Sequence, residues 1–319
     1  MDEPSGAGRF RELPGKEQER YLDVMRELTT FARGHATPIC FAPPLGTFGV
    51  PLGEGKMATV TLPLSLGNID GASGCVLRLE SGVFVITADH VLTTYENRLA
   101  KGERLNWQVG KLPPFDPRVR VIWRDQANLR TPEEILRQVS TDEAPEKPSS
   151  LIPYRPKDIV FLKLSEQEAQ QACGDRTGIV PTPADWPPAL LEVGQLVVLA
   201  GYPNQLKEVD LAGTMTRGAC SAVFRVTTVG DGNGKCQFAY EDLINFSVGS
   251  PLPNMSTANL GGMSGGPVFV LASFGEYGEI QYPRLTGVFI ERWGHDPTSD
   301  IVEIATFDGT YESDFRTFA

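Results

Sequence analysis

Short stretches of alternating or continuous apolar residues, separated by turn formers, make up most of this chain. Met57–Leu62 mixes apolar and β-branched residues in a strand-like run. Gly74–Leu79 and Val83–Ala88 are separated only by Glu80-Ser81-Gly82 and predict a β-hairpin. Leu105–Val109, Val119–Trp123 and Ile159–Leu164 predict further strands. The same texture returns in Gln195–Ala200, Ala222–Thr228, Gln237–Tyr240, Pro267–Leu271 and Leu285–Glu291. One early stretch has a different period. Over residues 17–33 the apolar positions Tyr21, Val24, Met25, Leu28 and Phe31 fall at helical spacing, with Glu and Arg opposite, which predicts an amphipathic helix packed on the main body. Thr131-Pro132-Glu133-Glu134 starts a second predicted helix, 131–139, with an N-cap, a proline at the first helical position and acids in the first turn.

The intervening segments set the expected organisation. Residues 1–16 are polar with Gly and Pro and read as a tail; 34–55 look irregular; 140–157 read as a surface loop; 165–190 read as a connector ending in a proline-rich run. The expected division is 1–55 for tail, helix and irregular segment, 56–180 for a first β unit with an insertion, and 181–319 for a second β unit and C-terminal tail. Two successive runs of short strands predict an all-β fold of two barrels or sandwiches side by side, with a cleft between them.

Composition narrows the function classes. The chain has 319 residues, enough for one large or two ordinary domains. A net charge of −11 with no Lys/Arg cluster argues against a nucleic-acid partner. The apolar runs are too short for a membrane span, and the first twenty residues carry no apolar leader core. Cys40, Cys75, Cys173, Cys220 and Cys236 are odd in number and contain no CxxC pair, so neither a disulfide framework nor a zinc site is expected; a reducing, cytoplasmic location is. His35 and His295 read as ordinary residues, and no metal or cofactor is expected.

Three stretches carry candidate chemistry. In Gly261-Gly262-Met263-Ser264-Gly265-Gly266-Pro267, glycines surround one hydroxyl, allow a sharp bend and leave amide N–H groups uncovered. That suits a nucleophile, and it equally suits a plain hairpin turn. His90 appears where the apolar run Val83–Ala88 ends, as a general base or a structural histidine. Asp158 opens Ile159–Leu164, as an orienting acid or an ordinary turn acid.

In the order His90, Asp158, Ser264, these stretches together resemble the trypsin/chymotrypsin-like serine proteases. Ile86-Thr87-Ala88-Asp89-His90-Val91-Leu92 looks like the histidine motif of that family, Asp158-Ile159-Val160-Phe161-Leu162-Lys163-Leu164 like its aspartate motif, and Gly262-Met263-Ser264-Gly265-Gly266-Pro267 like its nucleophile motif. Val197-Val198-Leu199-Ala200-Gly201-Tyr202-Pro203 is similar to the start of the second barrel in bacterial members. The resemblance covers about residues 56–300 and implies two six-stranded antiparallel barrels of trypsin-like type after the short N-terminal helix. It implies a serine endopeptidase with Ser264 as nucleophile, His90 as base, Asp158 as its orienting acid, and the N–H groups of Gly262 and Ser264 as oxyanion hole. Protein or peptide would be the substrate. The position at the pocket base falls near Ala258, without an acid, which points to a small or apolar residue before the scissile bond; Glu291 and Arg292 follow the strand that lines the pocket and could add a charge preference.

The sequence departs from the family in three places. Met263 stands where digestive members carry Asp and bacterial relatives commonly Asn, so activation by a freshly cut N-terminus is not expected, and something else must hold the oxyanion turn. Asp89 stands where a small residue is usual; its carboxylate either raises the His90 pKa or points away. Val91 replaces the cysteine of secreted members. Two rival readings therefore stand beside an active protease: a catalytically silent protease-like binding module, and a protease whose oxyanion turn forms only when an activating or scaffold protein docks. No appended domain of PDZ type is expected after residue 300.

Overall fold

The computed structural model describes residues 15–53, 56–63, 70–124, 158–174, 178–180, 191–209, 215–230, 233–238, 260–270, 283–293 and 301–307. The first fourteen residues of the predicted tail 1–16, helix 131–139, loop 140–157, proline-rich run 181–188 and pocket-base residue Ala258 lie outside them; Gly15 and Lys16 of that tail instead open the first helix.

Helix α1 (Gly15–His35) matches the predicted amphipathic helix. Leu28 and Ala32 are buried in one core with the second β unit, and Phe31 meets Phe269 edge-on at 5.2 Å. At its C-terminus the His35 ring Nδ1–H donates to the Phe31 carbonyl at 2.7 Å, one turn earlier in the helix. Burial lowers the His35 pKa against the raising effect of that bond.

The chain then enters strands directly. The first unit contains β1 (Ala36–Ala42), β2 (Leu45–Gly53), β3 (Lys56–Pro63), β4 (Asp70–Leu79), β5 (Gly82–Thr87), β6 (Asn106–Val109), β7 (Val121–Arg124), β8 (Val160–Leu164) and β9 (Ile179–Val180). It also contains α2 (Asp89–Ala100) and α3 (Glu166–Cys173). Residues 34–55, read from sequence as irregular, thus carry two strands, and β1 belongs to the main sheet. The sheet order is β6-β1-β4-β5-β8-β7, with β9 running parallel to β4; β2 and β3 form a separate two-stranded ribbon. The connector 165–190 holds α3, closed at its start by a reciprocal Ser165/Glu168 capping box.

The central strands are apolar on both faces, and their two-residue period sorts side chains into two cores. Val76, Val83, Val85, Val160 and Leu162 pack with Trp107, Leu92 and Tyr95 inside the first unit. Cys75, Leu77, Phe84, Ile86 and Phe161 face the other way, into a core shared with the second unit. Phe161 meets Phe307 there at 6.1 Å. A continuous apolar run such as Val83–Ala88 is therefore a strand buried on both sides.

The second unit contains β10 (Leu196–Gly201), β11 (Lys207–Val209), β12 (Met215–Arg217), β13 (Cys220–Gly230), β14 (Asn233–Phe238), β15 (Pro267–Val270), β16 (Arg284–Trp293) and β17 (Ile301–Thr306). Six of them close into an antiparallel barrel, β10-β13-β14-β17-β16-β15, while β11 and β12 form a small hairpin beside it. The fold is mostly β, two curled antiparallel units with few helices, as the sequence implied. Among the described residues no helix is long and apolar enough to cross a membrane.

Candidate active site

Strand register brings His90 and Asp158 together. β5 pairs antiparallel with β8, with Thr87 opposite Val160. The ladder ends there, two residues after Asp158 on one strand and three before His90 on the other. The chain leaves β5 at Thr87 and turns through Ala88 into α2, so His90 sits in the first helical turn rather than on a strand edge. Asp158 grips it twice: one carboxylate oxygen accepts from the His90 backbone N–H at 2.6 Å, and the other pairs with ring Nδ1 in a very short contact. The ring orientation is fixed by its own backbone, and Nε2 is left as the ring's other nitrogen.

Charge around His90 acts in one direction. Burial lowers its pKa, but the bond to Asp158 and the charges of Asp158, Glu291 and Asp89 outweigh that and leave it raised. Asp89 adds to the charge that raises His90, and its carboxylate turns to Arg124 rather than to solvent. It is ion-paired with Arg124 at 2.6 Å, and Arg124 also holds Glu96 at 2.9 Å. Burial pushes the Asp89 carboxyl up to about 6 despite Arg124, and its place in the first turn of α2 favours the ionised form through the helix dipole.

Ser264 lies in the turn between Leu260 and β15. The turn closes on itself, with Met263 N–H donating to Leu260 O (2.9 Å) and Gly266 N–H to Met263 O (2.8 Å). It is held from outside by Asn204 N–H on Gly261 O (2.7 Å), the Ser73 hydroxyl on Gly262 O (2.8 Å), and Ser73 N–H on Ser264 O (2.9 Å). Gly262 and Gly265 have φ of 93° and 83°, conformations that favour glycine. Among the described residues, the N–H groups of Gly262 and Ser264 have no acceptor. In a trans peptide the N–H points opposite to the preceding C=O. The grips on Gly261 O and Met263 O therefore direct both free N–H groups away from the atoms that hold them.

Met263 is wholly buried, with its sulfur 3.4 Å from the Cys220 thiol. An apolar contact thus fills the place where the resemblance would put an ionic one. The Ser264 hydroxyl donates to Ile290 O at 3.0 Å, rather than to His90. The two are nonetheless close in the fold: a Cβ built on Gly265 would sit 2.0 Å from Thr87 Oγ1 and 2.7 Å from Ala88 N, just before His90.

Of the remaining sequence candidates, Glu291 follows Ile290 on β16, is exposed, and acts on His90 through its charge. Arg292 is in the same strand, but its side chain lies outside the described residues, as does Ala258. Sequence reasoning missed Ser73 and Asn204, which hold the turn. Nothing in Ala72-Ser73-Gly74 or Pro203-Asn204 marks them locally, because their partners are remote in sequence.

A family model described as a trypsin-like peptidase domain matches residues 72–273. No curated protein matches the chain. Among solved structures, a thermostable serine protease, AL20, from an extremophilic microorganism is 13% identical at a TM-score of 0.40, covering 90% of this chain and 97% of that one. Neuropsin, a serine protease expressed in the limbic system of mouse brain, is 11% identical at a TM-score of 0.41, covering 91% and 96%. An inactivated protease paralogue of the scabies mite is 13% identical at a TM-score of 0.38, covering 91% and 96%.

Proposed function

The chain belongs to the trypsin-like peptidase family and is a serine protease by class; on that premise we propose that it is an endopeptidase working through Ser264, His90 and Asp158. The observation that carries this reading is the turn 260–266, where the two N–H groups without an acceptor flank Met263 and one of them belongs to Ser264 itself. Preorganised amides of that kind are what a developing oxyanion needs.

The reaction then runs as follows. The Ser264 side chain rotates from Ile290 O toward Nε2 of His90. Its proton passes to Nε2 as the Oγ–C bond to the substrate carbonyl forms. Gly262 and Ser264 N–H hold the carbonyl oxygen as it becomes negative. The C–N bond breaks and the amine leaves with the proton from His90. Water then gives a proton to His90 as its oxygen bonds to the acyl carbon; the Oγ–C bond breaks, the acid product leaves, and His90 passes the proton to Ser264 Oγ. Asp158 keeps Nδ1 protonated and stabilises the imidazolium.

Activity without an activating partner is part of this proposal, because the turn is gripped by Ser73, Asn204 and Gly266 of the same chain. A reducing, intracellular location is also part of it and fits the buried thiols Cys75 and Cys220, which form no disulfide. For specificity, Ala258 suits a small or apolar residue before the scissile bond. The Glu291 carboxylate, beside His90, favours a cationic side chain next to it.

One observation favours the silent-module reading: the hydroxyl of Ser264 is bonded to Ile290 O. Fluorophosphonate labelling separates the two. A single adduct, mapped to Ser264 by peptide mass spectrometry, is expected; a folded protein that takes no label would be a binding module instead.

Glu291→Gln is expected to move the acidic limb of kcat/KM toward lower pH. The base must be neutral, the Glu291 charge raises its pKa, and removing the charge lowers it. The displacement should shrink at high salt, since Glu291 is exposed. A limb that stays in place at low salt would remove Glu291 from the electrostatics of the site.

A further inference from the structure

Ser73 is fully buried in β4, in the first unit, yet every polar atom it has reaches elsewhere. Its N–H donates to Ser264 O at 2.9 Å. Its carbonyl accepts from Thr87 Oγ1 at 2.7 Å, three residues before His90. Its hydroxyl donates to Gly262 O at 2.8 Å and accepts from Tyr202 N–H, just after β10, at 2.8 Å. One buried residue therefore joins the nucleophile turn, the histidine segment and the second barrel.

We propose that the Ser73 hydroxyl is a positioning residue for the oxyanion hole, taking the place of an ionic anchor in a chain that carries Met263. The proposal rests on the reading that Gly262 and Ser264 N–H receive the oxyanion. Its physical basis is the softness of the turn. Gly261 and Gly262 are adjacent, and glycine crosses φ/ψ space at little steric cost. The peptide plane between Gly262 and Met263 can rotate without dragging a Cβ at residue 262 through the wall. A rotation would carry Gly262 O off Ser73 and re-aim the amides on either side.

A hydroxyl has one proton and two lone pairs. Here Tyr202 N–H occupies a lone pair and Gly262 O takes the proton, so the direction of the hydroxyl is fixed. Met263 adds apolar burial against Cys220, which resists displacement but does not select the orientation of a peptide. The hydroxyl supplies the directional part.

The test uses the full chain with p-nitrophenyl acetate as acyl donor, a small ester that needs no specificity pocket. Ser73→Ala is expected to slow acylation about 10- to 50-fold per folded molecule, less than the ~10²–10³ for deleting a direct oxyanion donor. The acidic limb of the pH profile should stay in place, because the His90–Asp158 pair is untouched. Ser73→Thr, which keeps the hydroxyl, should recover most of the rate.

Ser73→Cys guards against loss of folding, since a thiol fills the site but donates weakly; slow acylation by a folded Ser73→Cys protein supports the proposal even where Ser73→Ala does not fold. Acylation within twofold of the unaltered protein in folded Ser73→Ala or Ser73→Cys overturns it. So does a rate loss that merely tracks the folded fraction seen by near-UV circular dichroism. Absence of acylation in the unaltered protein overturns the protease reading first and this one with it, whereas an active unaltered protein with a fully active Ser73→Ala overturns this one alone.

Discussion

Ser264→Ala is expected to lower kcat by about 10⁶-fold and Asp158→Asn by about 10⁴-fold, with the double variant no slower than Ser264→Ala alone. The non-additivity is the informative part. Orienting a base is worth nothing once the hydroxyl it serves is gone, so the second change should add no loss if the residues act as a unit. The Asp158 value follows from its two bonds. Both carboxylate oxygens are acceptors, one for the His90 backbone N–H and one for ring Nδ1. Asparagine offers one oxygen and one NH₂ group. With its oxygen on the backbone N–H, its NH₂ faces Nδ1 and forces the proton onto Nε2, the nitrogen that accepts from Ser264 in the proposed mechanism. Shape and packing change little, so melting temperature should hold while turnover collapses. Ester hydrolysis with p-nitrophenyl acetate reads both variants; an Asp158→Asn protein keeping more than about a tenth of the rate would remove Asp158 from the mechanism.

The parts of this fold that read clearly from sequence are those whose signal is local. Val83–Ala88 and Ile159–Leu164 are apolar at all but Thr87 and Lys163 because both faces of these strands are largely buried, and α1 shows its stripe where Leu28 and Ala32 enter the core. The turn around Ser264 is legible because positive φ and close backbone approach demand glycine there. Helix α2 was not expected. It follows β5 almost directly, its N-cap Ala88 offers no side-chain cap, and Val91, Thr93 and Thr94 are β-branched, so the pattern looks like more strand. The start of α3 did carry a signal, Ser165-Glu166-Gln167-Glu168, inside a segment dismissed as connector. β17 closes the second barrel within a stretch read as tail, its apolar run broken by the buried Glu303. Ser73 lies at the far end of the scale. Its hydroxyl acts on Gly262, 189 residues away, and on Tyr202, 129 residues away, and no sequence window contains that relation.

Gly265→Ala is expected to destabilise the protein by about 4 kcal/mol or more, and Gly102→Ala by about 1 kcal/mol. The pair separates two costs of replacing a glycine. Both residues have nearly the same φ, 83° and 85°, so both variants lose the conformational freedom that glycine has there. A Cβ on Gly102 would meet nothing within 4 Å. On Gly265 it would lie 2.0 Å from Thr87 Oγ1, 2.3 Å from Ser73 O and 2.7 Å from Ala88 N. Two of these are backbone atoms of buried segments and cannot withdraw as a flexible side chain would. The difference between the variants in urea denaturation therefore measures how tightly the nucleophile turn is pressed against the histidine segment. Equal losses would mean that the two units can separate there at little cost. Unequal losses, with folded Gly265→Ala protein also slow toward p-nitrophenyl acetate, would mean that the contact which holds the fold together also sets the distance between Ser264 and His90.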